Sequence, residues 1–289
     1  MIIVVCGPTG VGKTKLSVEL AKRYDGIIIN SDAMQVYKEM NIATAKIKEE
    51  EKDGIKHYLF DICDLEDIYT IYNYQKDARK IIDENKGKNI IMVGGSGLYQ
   101  KAALYDYKFE DENINGNENN FDNLTNEELF DLVLKKDPES KVHVNNRKRL
   151  IRILNKKDIN HEKSQLLYDN VIFIGLTTSR NNLYSIINKR VDKMVDEGLI
   201  EEAKYFYDKK IKCKALDTVI GYKELFKYFG GELSLDDALE LIKKNSRHYA
   251  KRQYTWYNHQ LPTIWVETNY ANFNKTVDEV TKIIDEKCA

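Results

Sequence analysis

Short apolar runs alternate with amphipathic segments along the first part of the chain. Runs of β-branched and other apolar residues predict buried strands at residues 2–5, 26–30, 57–62 and 89–93. Apolar residues recur at helical spacing between these runs, which predicts helices at 15–24 and 69–84. Strands that alternate with helices are typical of a parallel sheet covered by helices on both faces. The pattern therefore predicts an α/β fold.

A different pattern begins near residue 108. Residues 110–131 hold eight acidic residues and no lysine or arginine, and the Asn-rich stretch 116–120 predicts a flexible, solvated loop. Helices are predicted at 126–135 and 145–155, and the apolar run 171–176 predicts a strand that returns to the sheet. From residue 181 the chain is mostly helical, with one apolar face made by Leu183, Ile186, Ile187, Val191 and Met194. We therefore predict an α/β core in two parts, 1–107 and 170–289, separated by a small helical subdomain at 108–169.

Composition limits the classes of protein to which the chain can belong. Its 289 residues, 42% of them hydrophobic, suffice for one sizeable core and a smaller second domain. The net charge of −1 provides no overall basic field, so any nucleic-acid surface must be local. The four cysteines have neither the spacing of a zinc site nor that of a disulfide framework, and we expect reduced thiols in the cytosol. They are Cys6, Cys63, Cys213 and Cys288. With no long apolar run and a strand that starts at residue 2, neither a membrane span nor a leader is expected.

The first strand leads directly into a phosphate-binding motif. Residues 7–14, Gly-Pro-Thr-Gly-Val-Gly-Lys-Thr, match the P-loop pattern G-x-x-x-x-G-K-[ST] and open the first predicted helix. The glycines let backbone N–H groups approach phosphate oxygens, and the helix adds its positive N-terminus. Lys13 supplies charge, and Thr14 is suited to ligate Mg²⁺. The motif predicts a phosphate site without identifying the phosphate, the alternative being a glycine-rich loop with no ligand.

Two further loops follow predicted strands. Asp32 lies just beyond the strand at 26–30, at the edge of the sheet where ligands bind. Its carboxylate is suited to ligate Mg²⁺, to act as a base, or to cap the next helix. The paired glycines Gly94 and Gly95 either allow close approach of a ligand or form a tight turn without one.

Basic residues concentrate in two places, which indicates either a local nucleic-acid surface or an ordinary solvated face. The first cluster comprises Arg147, Lys148, Arg149, Arg152, Lys156 and Lys157. The second comprises Lys243, Lys244, Arg247, His248, Lys251 and Arg252, of which all but Lys243 share one helical face, beside Tyr249 and Trp256.

These features leave three functions open. One is an NTP-dependent kinase or NTPase, in which Asp32 or Asp61 supplies the acid that holds the metal. Another is a nucleic-acid binding module with an inactive P-loop. The third is a transferase whose P-loop holds a diphosphate leaving group.

The third function gains support because the chain resembles the tRNA dimethylallyltransferases, also called tRNA isopentenyltransferases. The matching segments occur in family order over nearly the whole chain: 7–14, 30–46, 57–62, 93–102, 144–154, 198–203, 220–225 and 247–257. The resemblance implies transfer of a dimethylallyl group from dimethylallyl diphosphate to N6 of adenine 37 in tRNAs that read UNN codons. It also implies Mg²⁺ dependence, a cytoplasmic enzyme and no consumption of ATP. We expect a monomer that does not bind membranes.

The resemblance also implies roles for particular residues. Asp32 would be the catalytic base, assisted by Lys13 and by Thr14 as the metal ligand. The diphosphate would be held by Gly7, Thr9, Gly10, Val11, Gly12, Lys13 and Thr14. The tRNA would be contacted by Asp32, Ala33, Met34, Gln35, Ser96, Lys148, Arg149, Arg152, Arg247, Lys251 and Arg252.

Two departures from the family pattern bear on activity. Thr218 stands where the family commonly has Gln or Arg facing the diphosphate, and the insertion is shorter and more acidic than usual. The nearest alternative within the resemblance is an adenylate isopentenyltransferase acting on free AMP or ATP. Such an enzyme would not need the basic segment 247–252, so that segment favours tRNA.

Overall fold

The structure of the protein, a computed structural model, describes residues 1–109, 121–156 and 164–288. The chain forms two compact units: one comprises Met1–Tyr105 and Leu166–Ala289, and the other is Asp106–Gln165. The predicted loop at 116–120 and Lys157 of the first basic cluster lie outside the described residues.

Within the described residues, six parallel strands form a single sheet in the order β3-β2-β4-β1-β5-β6. Their bounds are β1 Ile2–Cys6, β2 Gly26–Asn30, β3 His57–Tyr58, β4 Asn89–Val93, β5 Val171–Thr177 and β6 Ile264–Glu267. The predicted α/β fold with a parallel sheet is confirmed. The strand at 171–176 returns to the sheet as expected, pairing as β5 with β1.

The helices are α1 Lys13–Arg23, α2 Ile71–Glu84, α3 Gly97–Leu104, α4 Asn126–Lys136, α5 Arg147–Asn155, α6 Arg180–Asp196, α7 Leu199–Asp208, α8 Lys214–Thr218, α9 Tyr222–Phe229, α10 Leu235–Gln260 and α11 Phe273–Cys288. Side-chain caps explain several starts. The hydroxyl of Thr70 accepts a hydrogen bond from the backbone N–H of Asn73, so α2 begins just after it, and Asn146 caps α5 in the same way. No described helix is long and apolar enough to cross a membrane.

The alternation along β1 divides the core into two layers. Ile3 and Val5 pack in the layer that contains α1 residues such as Leu16, whereas Val4 packs in the layer that contains Tyr74 of α2. All of these side chains are buried. Burial of each such aliphatic side chain contributes about 1.5–3 kcal/mol, so the two covered faces explain why the strand is apolar at every position.

Two strand predictions needed correction. The strand expected at 57–62 ends at Tyr58, because Leu59 and Asp61 adopt left-handed backbone conformations with φ of 63° and 53°, which turn the chain out of the sheet. The edge strand β6 was not predicted. It is only four residues long and lies between two helices, so local periodicity carries little signal for it.

The unit Asp106–Gln165 has a small core of its own. It is built from Leu129 and Val133 of α4 with Val142 and Leu150. Arg147 takes part in this unit's structure, since its guanidinium donates to the backbone oxygens of Phe121 and Leu124 at 2.7 Å each. This arginine of the first basic cluster is therefore a structural residue.

Candidate active site

The P-loop joins β1 to α1 at the carboxyl edge of the sheet. Gly7, Gly10 and Gly12 adopt left-handed φ values of 127°, 88° and 92°, which side chains other than glycine rarely adopt. A Cβ at Gly7 would also lie 2.4 Å from the backbone oxygen of Leu176, so the loop presses directly against β5. The backbone of the loop is thereby held at the N-terminus of α1, the geometry that favours phosphate binding.

Lys13 lies at the first position of α1 and lines a large cavity. Its ammonium donates to the backbone oxygen of Pro8 at 2.7 Å. Burial lowers the pKa of Lys13 to about 8, with a further lowering by Arg190 that Asp32 and Cys6 oppose. Burial disfavours the charged form of the lysine because solvent is lost, and a bound anion would stabilise that charged form again.

Arg190 of α6 is a site residue that sequence reasoning missed. It lines the same cavity as Lys13, and burial lowers its pKa, while the charge of Asp32 opposes that shift. Among the described residues its guanidinium has no hydrogen bond or ion pair. A signal was present, because Arg190 follows Ile186 by four residues and Leu183 by seven, which places a cation on an apolar helix face. Two cations beside one P-loop indicate a site for more than one phosphate charge.

The carboxylate of Asp32 has one oxygen engaged and one available. Its Oδ1 accepts from the backbone N–H of Met34 at 2.9 Å, and its own N–H donates to Oδ1 of Asn30 at 2.9 Å. No regular helix follows, so the possible helix-capping role is wrong and the carboxylate instead stabilises a turn. Within the described part of the chain, no hydrogen bond reaches Oδ2, which is therefore able to accept a proton.

The loop after β4, residues 94–96, packs against the loop that carries Asp32. A Cβ at Gly94 would lie 2.3 Å from the backbone carbon of Ser31, so the close approach there is made by the protein's own chain. Ser96 donates its backbone N–H to the oxygen of Ser31 at 3.0 Å, while its hydroxyl caps no helix N–H group. Gly94 and Gly95 line the cavity, and Ser96 does not.

The residues after Asp32 contribute to the cavity to different degrees. Met34 and Gln35 line it, whereas Ala33 lies against the core layer that contains α2. The amide nitrogen of Gln35 donates to the oxygens of Thr44 and Ala45 at 3.0 and 3.3 Å. Gln35 therefore holds the 43–45 segment, which forms another part of the cavity wall.

The cavity has a volume of about 1090 Å³ and contains both polar and apolar regions. Its cationic lining includes Lys13, Arg190, Lys223 and Arg252, and Asp32 faces it as well. Its apolar wall comes from α6, α7, α10 and the segment after α8: Ile186, Ile187, Val191, Met194, Leu199, Val219 and Ile242. A cavity that combines charged groups with an apolar wall suits an amphipathic donor.

Several P-loop positions predicted to bind diphosphate have additional contacts. The N–H of Thr9 donates to the side chain of Gln253 at 3.0 Å. Val11 is fully buried, and its backbone oxygen accepts from Thr268. The exposed Thr14 lines the cavity, as do Gly10 and Gly12, whereas the buried Gly7 and Val11 do not.

The basic face of α10 is only partly free. Arg247 donates to Oδ1 of Asn188 at 2.6 Å, and Lys243 pairs with Asp192 and Glu240 at 2.9 and 3.0 Å. Lys251 and Arg252 are exposed, and Arg252 lies over the ring of Tyr249. In the other unit Lys148, Arg149 and Arg152 are exposed on α5. The exposed members remain candidates for contacts with an acidic partner.

One feature of the site weakens the kinase or NTPase hypothesis. Asp61, one candidate for the metal-holding acid, pairs with the buried side chain of Lys46 at 2.5 Å and does not line the cavity. Thr218 lines the cavity, but its hydroxyl donates to the backbone oxygen of Lys214.

A phosphate cradle that shares a cavity with an available carboxylate oxygen and an apolar wall defines a class: enzymes that transfer a group from a phosphorylated donor. Residues 35–260 match the family model described as IPP transferase. A tRNA dimethylallyltransferase of Anoxybacillus flavithermus is 43% identical over 99% of this chain and 96% of its own length. That of Bacillus subtilis is 42% identical over 92% of this chain and 90% of its own. The chain belongs to the IPP transferase family and is a prenyltransferase.

Solved structures give the same result. The full-length tRNA isopentenylpyrophosphate transferase of Bacillus halodurans has a TM-score of 0.78 and 39% identity, covering 99% of this chain and 96% of its own. A eukaryotic dimethylallyltransferase, described as acting on tRNA, has a TM-score of 0.80 and 26% identity, covering 97% of this chain and 77% of its own. The resemblance found in the sequence is confirmed.

Proposed function

We propose that this enzyme transfers the dimethylallyl group of dimethylallyl diphosphate to N6 of adenine 37 in tRNAs that read UNN codons. The products are N6-isopentenyladenosine and diphosphate. The observation that supports this best is the common cavity that joins Lys13, Arg190 and Asp32 to an apolar wall. The names of its relatives, tRNA dimethylallyltransferases, agree with it.

The residues divide the chemistry between them. As the new C–N bond forms, the exocyclic nitrogen becomes acidic, and Oδ2 of Asp32 takes its proton. General-base assistance of this kind contributes about 10²–10⁴-fold to a rate. Diphosphate leaves with growing negative charge, which Lys13, Arg190 and the P-loop amides stabilise.

Mg²⁺ fits the donors that the site provides. Thr14 is exposed and lines the cavity, and its hydroxyl is a hard oxygen that would hold Mg²⁺. Mg²⁺ is commonly bound through one or two protein oxygens and the oxygens of a substrate phosphate, so a prebuilt cage of carboxylates is not required. When bound with the diphosphate, the ion would supply further neutralisation of the leaving group.

The acceptor must be presented outside its normal stack. Adenine 37 has to leave the anticodon loop to reach the cavity, which costs a few kcal/mol. Contacts with the loop nucleotides and backbone recover that cost. We assign such contacts to the exposed cations Lys251, Arg252, Lys148, Arg149 and Arg152, with Met34 and Gln35, which line the cavity, nearer the base. We further expect the enzyme to act as a cytoplasmic monomer.

One assay tests the proposal. The protein is incubated with Mg²⁺, dimethylallyl diphosphate and either unmodified tRNA or AMP, and the nucleosides are analysed by mass spectrometry. Prenylated adenosine that forms with tRNA but not with AMP supports the proposal. Nuclease digestion of the modified tRNA, followed by mass analysis of the fragments, locates the modified base. Product from AMP but not from tRNA would identify an adenylate isopentenyltransferase. In a separate incubation with Mg²⁺ and ATP, hydrolysis of ATP that tRNA stimulates would identify an NTPase.

A further inference from the structure

Gln253 of α10 connects two loops of the active site. Its Oε1 accepts from the backbone N–H of Thr9 in the P-loop at 3.0 Å, and its Nε2 donates to the backbone oxygen of Gly95 at 3.0 Å. The side chain is buried, with 6% of its surface exposed. One amide therefore bridges the phosphate cradle and the loop after β4.

Gly95 also lies beside three polar side chains of the active site, one of which is the proposed base Asp32. A Cβ there would lie 2.6 Å from Nε2 of Gln253, 3.1 Å from Oδ2 of Asp32 and 3.4 Å from the hydroxyl of Tyr249. The absence of a side chain at Gly95 thus leaves room for an amide, a carboxylate and a phenol to approach the place that a Cβ would occupy. The bridge from the P-loop ends beside the carboxylate oxygen assigned to proton removal.

The chemistry of the bridge restricts which residue can make it. The P-loop offers a donor, and the 94–96 loop offers an acceptor, so the bridging group must accept at one end and donate at the other. A side-chain amide does both. Glutamate keeps the acceptor but loses the donor, and methionine has similar length and makes neither bond.

We propose that Gln253 is a positioning residue that sets the distance between the diphosphate cradle and the base Asp32. The inference rests on the proposed prenyl transfer. Reacting atoms must be about 3–3.5 Å apart for efficient transfer, and a displacement of about 1 Å can cost roughly 10²-fold in rate. The bridge would therefore act on the chemical step rather than on the affinity for either substrate.

The loops have other supports, so removal of the bridge alone leaves the fold in place. Tyr257 donates to the oxygen of Gly94 at 3.2 Å, and Ser96 remains bonded to Ser31. The test is Gln253→Met, which keeps a buried side chain of similar length. The matched control is Gln260→Met on the same helix, where the exposed side chain accepts a hydrogen bond from the ammonium of Lys101.

Single-turnover transfer is measured with tRNA and dimethylallyl diphosphate both saturating, and binding of each is titrated separately. We expect Gln253→Met to slow transfer roughly 10- to 100-fold with both affinities unchanged, and Gln260→Met to match the wild type. A wild-type rate in Gln253→Met would overturn the proposal. So would weaker binding accompanied by a normal rate at saturation, because that pattern belongs to a binding residue.

A second variant covers the case in which Gln253→Met does not fold. Gln253→Asn keeps an uncharged amide but is one methylene shorter, so it cannot span Thr9 and Gly95; a reduced saturating rate in the folded protein supports the proposal and a normal rate overturns it. The wild-type enzyme distinguishes failure of this inference from failure of the proposed function. If the wild type transfers no prenyl group to tRNA, the proposed function is wrong; if only the variants behave unexpectedly, the role of Gln253 is wrong.

Discussion

At the residue scale, the site depends on a few charged groups whose surroundings determine their use. Lys13 and Arg190 are cations whose pKa values burial lowers, and both line the cavity. Asp32 commits one oxygen to a turn and leaves the other for chemistry. Each of these assignments makes a separate prediction.

Asp32→Asn removes the proton acceptor but keeps an oxygen that can accept from Met34. We expect turnover to fall about 10²–10⁴-fold while tRNA binding persists, because the lost contribution is general-base catalysis. Single-turnover rates and a binding titration measure the two effects. Asp64→Asn, in an exposed pair with Lys38, is the control. Turnover close to wild type in Asp32→Asn would show that the carboxylate serves only the turn.

The lowered pKa of Lys13 predicts a pH dependence. Lys13 is charged below about pH 8 and neutral above it, so kcat/KM for dimethylallyl diphosphate should fall as pH rises through about 8. Bound diphosphate favours the charged lysine and should shift the fall in kcat to higher pH. Initial rates across pH 6–10 measure both, with Lys13→Arg as the comparison that retains the charge. A kcat/KM profile that is flat through pH 8 would contradict the assignment.

Arg190→Gln tests the second cation. Loss of a hydrogen bond to a charged group costs about 1.5–3 kcal/mol, so we expect kcat/KM for dimethylallyl diphosphate to fall roughly 10- to 100-fold. The neighbouring Lys189 is exposed and does not line the cavity, so Lys189→Gln makes the same charge change as a control. Equal effects of the two substitutions would indicate a general loss of positive charge rather than a contact.

At the element scale, α10 combines two functions along one helix. One side carries the buried Gln253 and Tyr257, which bond to the loops of the site. Beside them on the helix lie the exposed Lys251 and Arg252, of which Arg252 also lines the cavity. Arg247 is less suitable as a probe, because its bond to Asn188 gives it a structural role.

Replacement of Lys251 or Arg252 by Ala should weaken tRNA binding without changing which adenine is modified. Each lost phosphate contact should flatten the plot of log affinity against log salt by roughly one unit at most, and by less for single strands. Titrations at several salt concentrations measure the slope, and circular dichroism checks folding. Lys275→Ala, an exposed lysine at the start of α11, is the control. Unchanged slopes in both folded variants would contradict a tRNA-binding face and favour a free nucleotide as acceptor.

At the scale of the whole molecule, ligand binding should increase the free energy of unfolding. A ligand that binds only the folded protein raises the free energy of unfolding by about 2.7 kcal/mol at 100 times its Kd. The P-loop belongs to the larger unit, which contains the sheet and both of its core layers. Occupancy of the P-loop should therefore stabilise that unit.

Diphosphate with Mg²⁺ should raise the melting temperature, and Lys13→Ala should abolish the increase at the same concentration. Thermal unfolding monitored by circular dichroism measures the shift. Lys189→Ala serves as the comparison, since Lys189 is exposed and does not line the cavity. An equal shift in Lys13→Ala would place the diphosphate elsewhere on the protein.

The sequence by itself determined the features that depend on neighbouring residues. The P-loop, strands β1, β2, β4 and β5, and the start of α4 follow from apolar periodicity, glycine conformations and local caps, which act within a few residues. The ordered set of motifs was also sufficient to indicate the family. Asp32 was a candidate because it follows a strand of a parallel sheet.

Only the tertiary structure decided which distant residues meet. Arg190 joins Lys13, Gln253 bridges Thr9 and Gly95, and Asn188 engages Arg247 through contacts between positions far apart in the chain. Periodicity predicts the face of a helix on which a residue lies, but it does not identify the element packed against that face. The physical reason is that local preferences shape each element, whereas packing of the sheet and its helices determines which side chains share a cavity.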